Sequence, residues 1–181
     1  IILTMCLALL LSSCATTPIL NVKGNMSREI KQKAPIVSKL DISPDGRYAL
    51  SGSFDHFILW DIFQGEKLQS FTHPKAFAGD TIAVAFSPNG KYFASGGQGT
   101  KLWDLATRQE IMTFDNNRAF SITFSPDGKY ILCGGPPSDL GLFSFSTPKP
   151  PTLKLFDVST GEEIKDFKLQ QYVWSVAFSP D

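Results

Sequence analysis

The sequence predicts an all-β protein made of successive four-stranded antiparallel sheets, and three recurring signatures predict it. A Ser-Pro-Asp/Asn-Gly turn stands at Ser43, Ser87 and Ser125, and its first three residues return at Ser179. After each complete turn comes a segment ending in an aromatic residue and Asp: ILWD from Ile58, KLWD from Lys101 and KLFD from Lys154. A third signature follows each of these, GEKLQSF from Gly65, RQEIMTF from Arg108 and GEEIKDF from Gly161. The turn prolines Pro44, Pro88, Pro126 and Pro180 lie 44, 38 and 54 residues apart, a spacing that marks repeated supersecondary units.

Composition agrees with a folded chain. Of 181 residues, 43% are hydrophobic and 12% aromatic, enough to fill a core. Seventeen basic residues balance seventeen acidic ones, so no net field would hold a polyanion, and nucleic acid is not an expected partner. The local excess of charge at Lys23, Arg28, Lys31 and Lys33 against Glu29 reads as a solvated segment.

In chain order, IILTMCLALLL is too short to cross the ~30 Å hydrocarbon core as a helix. It has the length of a signal-peptide apolar region, followed by small residues. Leu11-Ser12-Ser13-Cys14 resembles the lipobox of bacterial lipoproteins, which implies removal of residues 1–13 and acylation of Cys14. Ala15 after the cysteine implies, in a Gram-negative cell, forwarding to the outer membrane. A plain secretory signal or the tail of a longer anchor are the alternatives. Lipidation would leave Cys133 without a partner for a disulfide, since Cys6 would depart with the signal. Residues 14–26 would then be the lipidated N-terminus and linker, and residues 27–181 the repeat domain. Because the chain opens on Ile1 and closes inside a repeat, it is read as a piece of a longer reading frame.

Within each repeat the strands follow from composition and punctuation. Thr81 to Phe86, Ser121 to Phe124 and Val173 to Phe178 alternate apolar and polar residues and are expected to be half-buried strands. In the corner, proline fixes φ at the second position, Asp tolerates the third, and Gly takes positive φ at the fourth so that the chain reverses. The next strands are Tyr48 to Gly52, Tyr92 to Gly96 and Tyr130 to Gly134; the WD or FD segment and the third signature supply two more.

Sheets of this kind, recurring every forty-odd residues with a third strand that ends on Trp-Asp, resemble the WD40 family of β-propellers over about Ser27 to Asp181. The resemblance implies a partial propeller, with about three complete blades plus parts of two others. In it, Ser27-Arg28-Glu29-Ile30-Lys31 aligns with the third signature and would be the outer strand of another blade. It also implies a bracing network of Asp, Ser, Trp and His in each blade. The first repeat offers Asp55, Ser51 and Trp60; the second keeps Ser95 and Trp103 but has Gln98-Gly99 in place of the Asp; the third has Cys133 and Phe156. No Gly-His precedes any first strand, so the network is expected to be incomplete.

Chemistry-bearing patterns are sparse. His56 and His73 are the two histidines, with no Cys pair and no carboxylate cluster at ligand spacing, so neither a metal nor another cofactor is expected. Asp55-His56 lacks an accompanying G-x-S-x-G elbow, and Gly96 to Lys101 lacks the phosphate-loop spacing and leads into a strand. No catalytic residues are expected.

Insertions are more informative. From turn proline to third-strand aromatic the separations are 16, 15 and 30 residues (Pro44 to Trp60, Pro88 to Trp103, Pro126 to Phe156). The third repeat therefore inserts a Pro-flanked loop over residues 135–151 that carries Leu140, Leu142, Phe143 and Phe145. A smaller excursion occupies residues 73–80. Alternating strand direction places both on one face, where exposed aromatics would anchor a partner; the competing reading is that GLFSFS packs on a neighbouring blade. Thr147 to Pro151 reads as a stiff connector. The functional expectation is a lipid-anchored, exported scaffold of the bacterial cell envelope that binds a protein or peptide on this face. The alternatives are an accessory propeller of an enzyme whose catalytic part lies beyond residue 181, and a propeller that holds a small ligand in its central channel.

Overall fold

Where the sequence repeats Ser-Pro-x-Gly, the chain turns a hairpin corner. Gly46, Gly90 and Gly128 have φ of 72°, 66° and 72°, and each donates its N–H to the carbonyl of the serine three residues before it (2.8, 3.0 and 2.9 Å). The computed structural model describes residues 37–53, 56–72, 82–136 and 152–180.

These residues form eleven strands: β1 (Lys39–Ile42), β2 (Tyr48–Gly52), β3 (His56–Asp61), β4 (Glu66–Thr72), β5 (Ala83–Phe86), β6 (Tyr92–Asp104), β7 (Glu110–Arg118), β8 (Ser121–Phe124), β9 (Tyr130–Gly135), β10 (Thr152–Asp157) and β11 (Glu163–Asp166). All pairings are antiparallel, in the orders β1-β2-β3-β4, β5-β6-β7 and β8-β9-β10-β11, and no helix occurs among the described residues. The first strands β1, β5 and β8 pack side by side, so the three sheets are blades arranged around a common inner edge.

The middle blade departs from the expected four separate strands. Its second and third merge into the 13-residue β6, which doubles back at Gly97 to Gly99. Leu105 N–H reaches Lys91 O (2.9 Å), as Ile62 N–H reaches Arg47 O and Val158 N–H reaches Lys129 O in the blades on either side, so the two halves of β6 lie next to each other. With no loop residue to spare, the reversal depends on Gly99 at φ 106°.

A second departure concerns burial. All four residues of β5 are buried, so the strand is covered on both sides and is not half-exposed. Ile82, Val84, Phe86 and Phe93 join Leu50, Phe57, Leu59 and Phe71 of the first blade in one core. Ala83, Ala85, Ala94 and Leu102 face the other way, into a core shared with Ile122, Phe124, Ile131, Cys133 and Phe156 of the third blade. The two-residue period of a strand thus serves two interfaces at once. The first interface is aromatic, with Phe57 stacked on Phe71 (4.6 Å, 6°) and Phe71 edge-on to Trp103 (5.0 Å, 62°). In the second, alanines let the blades approach, and the Phe114 and Phe156 rings meet at 5.5 Å. Lys154 adds an ion pair with Glu163 (2.8 Å) in its own blade and approaches Asp115 of the second blade (3.9 Å).

Third, Val173 to Phe178 is not a strand. No described strand pairs with it, so it has no ladder. It nevertheless lies where a next inner strand would: Val176 N–H donates to Ser121 Oγ (3.1 Å), and Val173 and Val176 cover Gly134. The expected outer strand at Ser27 to Lys31 falls outside the described residues.

Candidate functional site

Serine and the acidic or amide residue of each corner do more than tolerate the turn. Ser43 Oγ donates to Asp45 Oδ1 (2.6 Å) and accepts from Tyr48 N–H (2.8 Å), and Asp45 Oδ1 accepts from Arg47 N–H (3.0 Å). Ser87 with Asn89, and Ser125 with Asp127, repeat the arrangement. These bonds, the Ser43 hydroxyl first, hold the Asp45 carboxyl below its ordinary range, and Ser125 does the same for Asp127. The Asp of each WD or FD pair caps the following turn. Asp61 Oδ1 accepts from Gln64 and Phe63 N–H (both 3.0 Å), Asp104 Oδ1 from Thr107 N–H (2.7 Å) and Asp157 Oδ1 from Ser159 N–H (2.8 Å). Both sets of turns share one edge of the blades, and their recurrence in each repeat is structural.

The opposite edge carries the other connections. Ile82 N–H donates to Ser53 O (2.9 Å) and Ala119 N–H to Gly97 O (3.1 Å), so the chain entering each of these blades is tied to the second-strand end of the blade before it, while Phe120 N–H donates to Gly134 O (2.8 Å) within the third blade itself. Glycine makes this approach possible. A Cβ at Gly52 would overlap the Ile82 carbonyl oxygen, one at Gly135 the Arg118 carbonyl oxygen, and one at Gly96 the Ile122 and Ala119 side chains. Thr72 and Ile82, which flank residues 73–81, and Pro136 and Thr152, which flank residues 137–151, belong to these connections. Leu140, Leu142, Phe143 and Phe145 lie outside the described residues, as do Asp55 and Cys14.

On this edge stands an aromatic group of which Trp174 alone falls within an expected strand, Val173 to Phe178. Phe120 stacks on Trp174 (5.5 Å, 25°), and Tyr172 meets Trp174 edge-on (6.4 Å, 80°). Trp174 is 66% exposed and Tyr172 49%. The available signal was positional: Phe120 and Trp174 each stand six residues before a turn proline.

Trp60 Nε1–H donates to Ser51 Oγ, and Trp103 Nε1–H to Ser95 Oγ, both at 2.9 Å. The third blade changes both partners together. Phe156 has no N–H to offer, and Cys133 stands where the serine would be, its thiol pushed up to about 12 by burial and so held as the unreactive protonated form. Trp60→Phe is expected to cost about 1–2 kcal/mol by leaving the buried Ser51 hydroxyl unpaired, and Ser51→Cys in the same protein to recover part of it. Urea unfolding of the two variants checks this. Among the described residues no group of three His, Cys, Asp or Glu side chains could hold a metal ion.

Comparison with known proteins joins this geometry to a family. The model of the WD domain, G-beta repeat, matches residues 24–61, 65–104 and 108–139. The guanine nucleotide-binding protein subunit beta of Schizosaccharomyces pombe is 36% identical over 78 residues, 42% of this chain and 24% of that protein. The small ribosomal subunit protein RACK1 of Brassica napus is 39% identical over 75 residues, 40% of this chain and 21% of the relative. WD repeat-containing protein 1 of Mus musculus is 31% identical over 81 residues, 43% of this chain and 13% of the relative. The chain thus matches less than a quarter of the length of each of these relatives.

Proposed function

Because the chain belongs to the WD40 repeat family, we propose that it is a protein-interaction scaffold, exported and held in a bacterial cell envelope by lipid on Cys14. The partner is a protein or peptide. It binds the edge that carries the second-to-third-strand and blade-to-blade connections, where the 73–80 and 135–151 loops are rooted. The observation that carries this reading is the pair of exposed rings, Tyr172 and Trp174, held on that same edge against the half-buried Phe120, since rigid aromatic side chains often anchor protein contacts. One of the relatives is named as a subunit of a guanine nucleotide-binding protein and another as a protein of the small ribosomal subunit, which supports a partner-binding role.

The site is tested by affinity capture from envelope extracts with the complete protein, its Trp174→Ala variant and a deletion of residues 137–147. Capture is expected to fall at least tenfold in both variants, the scale of losing one anchor of about 1.4 kcal/mol or more. Full capture by both, with the fold intact by circular dichroism, contradicts the site. The anchor is tested separately. Metabolic labelling with a fatty acid should mark the protein, and Cys14→Ser should abolish the label and release the protein from membranes. A Cys14→Ser protein that still takes label and still sediments with membranes contradicts it.

A further inference from the structure

The inner edges of the blades line an open groove of about 420 Å³, formed by residues of β1, β5, β8 and the 176–180 segment. Its lining is Pro, Ser, Thr and apolar residues with one charged exception, Asp41. Asp41 stands three residues before its turn proline; the same position is Ala85, Thr123 and Ala177 in the other repeats. Its carboxylate bridges two blades. Oδ1 accepts from the following amide, Ile42 N–H (2.9 Å), and Oδ2 from Phe86 N–H of β5 (2.6 Å). Because β5 is an edge strand on this side, the Phe86 amide has no ladder partner there, and the carboxylate takes that place.

We propose that Asp41 is a proton-sensitive latch between the first and second blades. The elements packed against it offer no compensating charge. Leu50 is its cross-strand neighbour on β2, Val84, Ala85 and Phe86 face it from β5, and Ile122, Thr123 and Phe124 complete the lining from β8. On its own strand the nearest charged residue is Lys39. Burial raises the Asp41 carboxyl above its ordinary range, and the two amide bonds only partly offset this. The sign follows: a carboxyl whose folded-state value is raised binds its proton more tightly when folded, so the junction gains stability as pH falls through that value and loses it as pH rises past it. The turn carboxyls of Asp45, Asp61, Asp104, Asp127 and Asp157 are shifted the opposite way and remain charged over the same interval.

The test compares the complete protein with Asp41→Asn, which keeps an acceptor for Phe86 N–H but cannot titrate, and with Asp41→Ala, which keeps neither. Thermal midpoints are followed from about pH 7 to about pH 4.5, and amide exchange is read at Phe86 and Phe124. The difference between the native protein and Asp41→Asn is expected to narrow as pH falls, the asparagine protein having the higher midpoint at neutral pH. In Asp41→Ala the Phe86 amide should exchange roughly tenfold faster while Phe124 is unchanged. A pH-independent difference from Asp41→Asn, or Phe86 protection untouched by Asp41→Ala, overturns the proposal. If Asp41→Ala does not fold, the Asp41→Asn comparison decides alone.

Discussion

Phe93→Ala is expected to destabilise the protein by about 3–5 kcal/mol. Phe93 is fully buried and touches rings from both sides of the first blade interface: Phe57 (6.1 Å, 72°), Phe71 (5.7 Å, 67°) and, stacked within its own blade, Trp103 (6.1 Å, 5°). Removing it takes away its transfer free energy and leaves a cavity between two sheets that hydrogen-bonded ladders keep from collapsing. Denaturant unfolding followed by tryptophan fluorescence reads the loss. A change below about 1 kcal/mol would mean that the interface is not the close-packed one described.

Gly52→Ala is expected to cost at least about 2–3 kcal/mol, although it adds a single methyl group to a strand end. The methyl would meet the Ile82 carbonyl oxygen, and that carbonyl belongs to a backbone fixed by the Ile82 N–H bond to Ser53 O (2.9 Å). Backbone cannot rotate aside as a side chain would, so the connection between blades must shift. Gly46→Ala makes an informative contrast: nothing lies within 4 Å of its added Cβ, and its cost, about 1 kcal/mol, comes from φ of 72° alone. Thermal unfolding of the two variants side by side checks the ordering, which reverses if steric closeness between blades is unimportant.

The corners were legible because proline and glycine at fixed offsets impose backbone angles whatever surrounds them, and the strands β2 and β8 carry the boundaries their residues suggested. What escaped the sequence depends on neighbours from other repeats. Ala-Val-Ala-Phe in β5 looks like an alternating half-buried strand, because small alanines on one side give no sign that another blade covers them. The merging of strands in β6 turns on how few residues Gly97 to Gly99 leave for a loop. Val173 to Phe178 has the composition of a strand but no described ladder partner. The Asp41 bond to Phe86 joins residues 45 apart and follows no local pattern. In the site, the serine and tryptophan pairs were legible through the family resemblance, whereas the Phe120, Tyr172 and Trp174 group emerges only when two connections are brought to one edge.

That the blades are held together through their faces, and not each by its own ladder, is tested most directly by a double-mutant cycle on Phe71 of β4 and Trp103 of β6, whose rings meet at 5.0 Å across the first interface. With Phe71→Leu, Trp103→Leu and the double variant, a coupling of about 0.5–1.5 kcal/mol is expected, against none for Phe71 paired with Phe156 of the third blade. Strict additivity of Phe71 and Trp103 would contradict the account.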